Sequence, residues 1–447
     1  MILASLAANP PSASRVISPY MAVFFVAFAV AIVMTPVMRW LAIRNGIVDW
    51  PNLKHKSHIE PVAYLGGVAI FLAWIAAISL CYFVYFGGPH TPQAAVHIRF
   101  PFSIIVGAAV ITLTGLIDDV YGISPRVKIG GQFFAAAMLA MNRVGINLVD
   151  QLFKIIKVPA PDWLIYTLGA VVIAVFVIGG CNSVNLLDGL DGLASGVVAI
   201  AVMGFLAIAA FVALGSIEAA AQGKAVDPTY DAVRIVMCLA ILGAVLGFLP
   251  YNFNPANIFM GDAGALLLGY LSVATILLFA EAGGQGPRLV TAALIVFALP
   301  ITDTALAIFR RTMRRQSIFK PDSQHLHHQL LSAARRSLRL GPNASVKFAV
   351  LIMYALAAIF AVLGGALVSE RWRYMAAFFV VIFGFVIVSA YKAGHRQVLL
   401  EKIRKSAHAQ APADTDAGAD APLPDQGQAS AEPKSASSHD ASARHTA

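Results

Sequence analysis

The sequence predicts an all-α integral membrane protein with about 11 transmembrane helices. Three observations predict it. Of the 447 residues, 59% are hydrophobic and only 12% are charged, whereas soluble domains carry roughly 25% charged residues. Mean hydropathy is +0.75. Apolar runs also recur along the chain, most of them near the ~20 residues that a helix needs to cross a bilayer.

Taken in order, the runs fall at 18–43, 63–86, 101–117, 128–141, 163–180, 193–214, 232–249, 261–281, 289–308, 346–368 and 372–391. The fourth is the shortest. Strands of a membrane β-barrel would alternate apolar and polar residues over about ten positions; these runs are continuously apolar, so helices are expected. The N-terminus lacks a basic stretch followed by a short apolar core and a cleavage site, so no cleavable leader is expected. Cys81, Cys181 and Cys238 lie in or beside apolar runs without CxxC spacing and read as packing residues. Residues 1–395 are expected to form one multi-span domain and 396–447 a cytoplasmic tail. From about 406 the tail is rich in Ala, Ser, Asp, Pro and Gln, which cannot bury enough surface to offset ordering entropy, so disorder is expected there. No internal repeat of the transporter kind is evident.

Lys and Arg in the loops set the orientation. The loop 309–345 holds Arg310, Arg311, Arg314, Arg315, Lys320, Arg335, Arg336 and Arg339. Placing it in the cytoplasm, with an odd number of spans, puts the N-terminus outside and the C-terminus inside. The cytoplasmic loops are then 44–62, 118–127, 181–192, 250–260 and 309–345, and each carries a polar cluster that the opposite loops lack.

The first loop supplies Asp49, Lys54, His55, Lys56 and His58, then Gly66-Gly67, where a ligand could approach the backbone. Basic residues there also suit lipid headgroups. The second, LIDDVYGISPRVK, ends a span on Asp118 and Asp119, with Lys128 following. Adjacent carboxylates repel and are best tolerated near a cation, though a solvated helix end would also explain them. The third, NSVNLLDGLDGLASG, spaces Asn182, Asn185, Asp188 and Asp191 by three, which on a helical turn stacks them on one face. Its glycines suggest backbone held close to a ligand, and oxygen donors of this type suit Mg²⁺; ordinary DG turns are the plainer reading. The fourth, LPYNFNPANIFMGDAG, brings Asn252, Asn254, Asn257 and Phe259, with Asp262 entering the next span either as a helix cap or as a metal ligand. The fifth holds His325, His327 and His328 among arginines, which suits a phosphate-rich ligand; a zinc site is the weaker alternative, because HxHH is not a common structural zinc spacing. Asp303, in ALPITDTALAI, is an intramembrane carboxylate and so a functional candidate. Acidic residues facing a basic loop suit a metal ion together with a phosphorylated substrate.

In combination, LIDDVYGISPRVK, NSVNLLDGLDGLASG, GFLPYNFNPANIFMGDAGALLLG and HLHHQLL resemble the polyprenyl-phosphate N-acetylhexosamine-1-phosphate transferase family. HLHH resembles its WecA/TagO branch rather than the MraY type. The resemblance implies an active site at the cytoplasmic face of the inner membrane. There a polyprenyl phosphate, undecaprenyl phosphate in bacteria, attacks the β-phosphate of a UDP-N-acetylhexosamine, with UDP-GlcNAc the first choice, and UMP leaves. It implies a role at the start of cell-envelope polysaccharide synthesis. By the same resemblance Asn185 and Asp262 look like Mg²⁺ ligands, with Mn²⁺ as the alternative ion. Lys128 resembles the diphosphate contact, and Asp191 and Asn252 the uracil-site residues, with Phe259 stacking on the base. Asp118 resembles the base for the lipid phosphate, supported by Asp119. Lys54, Lys56, Asn182 and Asp188 complete the substrate-binding set, and His325, His327 and His328 touch the sugar or diphosphate. The base role competes with simple chemistry: a phosphate monoester, with a second pKa of about 6, is largely a dianion at neutral pH. Membrane lipid is an expected partner and nucleic acid is not; the oligomeric state stays open, a homodimer among the options. A phospho-N-acetylmuramoyl-pentapeptide transferase and a secondary transporter are the competing readings; a transporter would place its polar residues near the bilayer midplane.

Overall fold

The computed structural model describes residues 12–49, 62–86, 100–224, 229–313 and 325–368, with isolated positions 377, 380, 381 and 384. The apolar runs become helices in chain order: α1 (Met21–Arg44), α2 (Gly66–Phe86), α3 (Phe102–Tyr121), α4 (Pro125–Met141), α5 (Ile146–Ile156), α6 (Asp162–Leu187), α7 (Leu193–Ala221), α8 (Thr229–Asn252), α9 (Gly261–Leu278), α10 (Gly286–Val296), α11 (Ala298–Met313), α12 (Leu326–Arg336) and α13 (Pro342–Leu367). A two-residue ribbon pairs β1 (Val48–Asp49) antiparallel with β2 (Val62–Ala63). Among the described residues, seven helices are long and apolar enough to cross a membrane, or up to nine if each bent pair is one span. The chain is a multi-pass membrane protein.

The first ten expected spans all fall on these helices. The eleventh, 372–391, lies almost wholly outside the described residues, as do the tail 396–447, Lys54 and Lys56. Two runs are bent. The fourth continues past Met141 and turns by 64° into α5, where Arg143 and Gly145 adopt positive φ. The ninth breaks by 74° between α10 and α11. Pro300 explains that break: it offers no N–H to the Val296 carbonyl, and its ring crowds that carbonyl.

The architecture is organised around α9, where every residue except Asp262 is buried. Its neighbours approach closely through glycines. A Cβ on Gly115 of α3 would lie 2.5 Å from Ala263 Cα, and one on Gly269 would lie 2.5 Å from the Gly180 carbonyl oxygen of α6. Small residues allow such backbone approach where lipid supplies no hydrophobic drive for helix association. Gly67 of α2 packs against Gly264 in the same way. Here the sequence expectation is corrected: what approaches the Gly66-Gly67 backbone is protein. Their N–H groups donate to the carbonyls of Phe259 (3.0 Å) and Met260 (2.9 Å).

Side-chain charges tie both ends of α9. At its start, the Asp119 carboxylate accepts from the N–H groups of Asp262 (2.7 Å) and Ala263 (3.0 Å). At its end, Arg234, only 1% exposed, donates from Nε to the Leu278 carbonyl at 2.9 Å and is itself held by Asp231 at 2.5 Å. An anion at the N-terminus and a cation at the C-terminus both complement the helix dipole. The three cysteines are free and buried.

Candidate active site

The polar clusters meet where α3 and α6 end and α4 and α9 begin. Lys128, one turn into α4, extends its ammonium between two carboxylates: Asp118 at 2.9 Å, and Asp262, with which it forms a closer ion pair. Asp118 is braced by the Ile123 N–H at 2.8 Å, donated across the Gly122 turn that ends α3. Asn185, on the last turn of α6, donates from Nδ2 to Asp262 at 2.6 Å. Asn182, one turn earlier, donates to Gln132 Oε1 at 2.9 Å and to the Ile178 carbonyl at 2.8 Å.

A cavity of about 630 Å³ opens beside this cluster. Asp118, Lys128, Asn182, Asn185 and Asp188 line it together with Arg311, His325, His327 and His328. That volume lies within the usual range for small-molecule sites, roughly 300–1,000 Å³. The acidic and amide residues sit at the ends of long apolar helices, whereas the site of a secondary transporter lies near the bilayer midplane.

The three-residue spacing of the third motif does not carry through to its end. α6 stops at Leu187, so Asn182, Asn185 and Asp188 reach the cavity while Asp191 turns away. Asp191 accepts from Asn254 Nδ2 at 2.8 Å and from the Ala256 N–H at 3.1 Å. Asn252 is buried; it accepts from Ser195 Oγ at 2.8 Å and donates to the Ile258 carbonyl at 3.1 Å. Both side chains therefore shape the segment that leads into α9. Phe259 joins the same framework. Its N–H donates to the Ala63 carbonyl at 2.8 Å, and its ring lies 6.0 Å from that of Tyr64. Asp119 stands behind Asp262 as the cap of α9.

Sequence reading missed Gln132 and Ser195. Each is a polar side chain on an apolar helix, fully buried and bonded to a motif asparagine; polarity within an apolar run was the available signal.

The electrostatics are lopsided. Burial first, then the charges of Asp262, Asp119 and Asp191, push the Asp188 carboxyl up to about 8. Among the described residues no group of three or more His, Cys, Asp or Glu forms a metal-binding set by itself. Mg²⁺ asks for less, since it is held by one or two carboxylates with waters and substrate phosphates. Asp118 and Asp262 both reach the Lys128 ammonium, so one cation position already touches both, with the Asn185 amide adjacent. The donor set fits a hard divalent ion.

Behind the histidines that line the cavity, Asp303 of α11 pairs with His325 Nδ1 at 2.9 Å. Burial, with His328 next to it, pushes the His327 imidazole down to about 3, so it is neutral at physiological pH.

The profile of glycosyl transferase family 4 matches residues 101–280, which span α3 to α9. A Bacillus subtilis protein named as a probable undecaprenyl-phosphate N-acetylglucosaminyl 1-phosphate transferase is 30% identical over 372 residues, covering 82% of this chain and 90% of that protein. A Mycobacterium tuberculosis decaprenyl-phosphate N-acetylglucosaminephosphotransferase is 33% identical over 325 residues, 68% of this chain and 73% of the relative. A Haemophilus influenzae undecaprenyl-phosphate alpha-N-acetylglucosaminyl 1-phosphate transferase is 30% identical over 364 residues, 81% of this chain and 91% of the relative. With 30% identity across nine-tenths of the first relative, the chain belongs to the polyprenyl-phosphate N-acetylglucosamine-1-phosphate transferases of glycosyl transferase family 4.

Proposed function

We propose that the protein transfers N-acetylglucosamine-1-phosphate from UDP-GlcNAc to undecaprenyl phosphate at the cytoplasmic face of the inner membrane, releasing UMP. The observation that carries this reading is the Lys128 ammonium shared by Asp118 and Asp262 beside Asn185, at the edge of a cavity also lined by Arg311 and three histidines. Two anions, a lipid phosphate and a nucleotide diphosphate, must meet there, and only cationic surroundings make that meeting affordable. The basic 309–345 segment supports a cytoplasmic position for this face through the positive-inside rule.

An oxygen of the lipid phosphate attacks the β-phosphorus of the donor as the bond to the UMP oxygen breaks. One phosphoanhydride replaces another, so the reaction is reversible. Mg²⁺, held by Asp262 and Asn185 with Asp118 in reach, would draw charge from the diphosphate and the departing UMP. Lys128 neutralises a further part of that charge, and Asp118, fixed by the Ile123 N–H, holds Lys128 in place. Because the lipid phosphate is largely a dianion at neutral pH, Asp118 has no proton that it must remove, and a positioning role suits its geometry. Asp119 serves the site through α9, by fixing the first turn that carries Asp262.

The test uses purified protein in detergent with undecaprenyl phosphate, Mg²⁺ and radiolabelled UDP-sugars supplied singly. UDP-GlcNAc should give lipid-linked product, excess UMP should reverse it, and Asp262→Ala should abolish it while the protein stays folded. Near-normal turnover by Asp262→Ala would exclude the metal assignment, and irreversible hydrolysis would exclude the transfer chemistry.

A further inference from the structure

Three histidines border the cavity, and the structure separates their duties. His325 precedes α12 in extended conformation, and α12 starts at Leu326. Asp303, 4% exposed on α11, binds this corner twice: Oδ2 meets His325 Nδ1 at 2.9 Å, and Oδ1 accepts the Leu326 N–H at 3.0 Å. One carboxylate thus orients an imidazole and caps the helix that carries the other two. His327 is 1% exposed, and its Nε2 sits so near Gly189 that a Cβ there would lie 2.5 Å away. Its ring stacks on that of His325 at 5.6 Å and 8°. It packs against the backbone at Gly189 and leaves the ionic work to others.

We propose that Asp303 is a positioning residue: by holding His325 through Nδ1, and α12 through its first N–H, it presents His325 Nε2 to an anionic oxygen of the diphosphate donor. This rests on the transferase reading above. With Nδ1 engaged, Nε2 is the ring nitrogen left for a ligand in the cavity that His325 lines. A buried carboxylate also balances the charge of an imidazolium that donates to phosphate, and such charge-assisted bonds are the stronger kind. The other ionisable groups bordering this cavity are His327, His328, Arg311, Lys128, Asp118 and Asp188; the direct carboxylate contact on the His325 ring comes from Asp303. Asparagine at 303 would keep an acceptor for the Leu326 N–H but turn an NH₂ donor toward His325 Nδ1. The ring would lose its counter-charge and the proton position that Asp303 dictates.

The experiment compares full-length wild type, Asp303→Asn, His325→Gln and the double variant, with folding checked by thermal unfolding. Initial rates are measured against UDP-GlcNAc and against undecaprenyl phosphate. Asp303→Asn should lower kcat/KM for UDP-GlcNAc by about 10-fold or more, comparable to the loss when the carboxylate partner of a metal-ligating histidine is removed. KM for the lipid phosphate should hold, and the double variant should be no worse than His325→Gln alone. An unchanged Asp303→Asn, or losses that multiply in the double variant, would overturn the proposal. As a measurement independent of variant folding, wild type labelled with ¹⁵N-histidine and given UDP-GlcNAc should show both ring nitrogens protonated for the signal that disappears in His325→Gln; a ring protonated at one nitrogen only would also overturn it. A wild type with no transfer activity sinks the transferase reading itself, and the nitrogen spectrum still decides whether Asp303 sets the ring.

Discussion

Replacing Asp119 by Asn separates a structural role from a chemical one. In the wild type both carboxylate oxygens are engaged, by the N–H groups of Asp262 and Ala263. Asparagine keeps one acceptor and turns an NH₂ group against the other N–H. An N–H left unmet in a buried setting costs about 1–3 kcal/mol. Losing the negative charge at the start of α9 adds roughly 0.3–1 kcal/mol. The sum, about 1–4 kcal/mol, falls on the helix turn that carries Asp262. Thermal unfolding in detergent should shift down by several degrees for Asp119→Asn, and at least as far for Asp119→Ala. Transfer activity should fall in both, because Asp262 loses its fixed relation to Lys128 and Asn185. If both variants keep the wild-type unfolding temperature yet lose activity, Asp119 acts on the reactants and the capping account is wrong.

Other perturbations carry equally definite expectations. Lys128→Met leaves Asp118 and Asp262 facing each other without their shared ammonium, so the unfolding temperature should fall without added metal, and millimolar Mg²⁺ should restore more of it than it adds to wild type. An equal gain in both proteins would refute the shared cation position. Gly115→Ala places a methyl 2.5 Å from Ala263 Cα; overpacking of about 1–3 kcal/mol should outweigh the helix-propensity gain of up to ~1 kcal/mol, and a stabilised variant in thermal unfolding would contradict the packing. His327 is held near pKa 3 when folded, against an ordinary 6.5. The unfolded chain therefore takes up a proton that the folded chain refuses, so His327 costs no stability above about pH 6.5 and an increasing amount as pH falls toward 3. Unfolding temperatures between pH 7 and 5 should slope less in His327→Gln than in wild type.

The helices were legible because bilayer thickness imposes a length and an apolar character that a single sequence displays openly. Position along the chain was equally legible: helix termini gathered the Asp, Asn and His residues, and the cavity lies at those termini. Bends were harder to read. Pro300 stands in plain view, yet an apolar run with a proline reads the same whether it is straight, kinked or broken by 74°. The spacing of Asn182, Asn185, Asp188 and Asp191 also looked like one helical face, but the helix ends at Leu187, and Asp191 then serves the segment of Asn254 and Ala256. Periodicity cannot announce its own last turn. Gln132 and Ser195 were hidden because a lone polar side chain on an apolar helix acquires meaning only once its partner, Asn182 or Asn252, is placed beside it. The double use of Asp303 depends on a contact between α11 and the start of α12, across an intervening stretch for which sequence gives no geometry.

The enclosure of α9 has a consequence for how this molecule tolerates its surroundings. Bilayers differ in thickness, and helices that face lipid answer by tilting or shifting. A pillar wrapped in protein, clamped below by Asp119 and above by Arg234, is shielded from that adjustment. Asp262 rides on the pillar, so membranes of varied lipid composition should leave its geometry untouched while the outer helices absorb the mismatch.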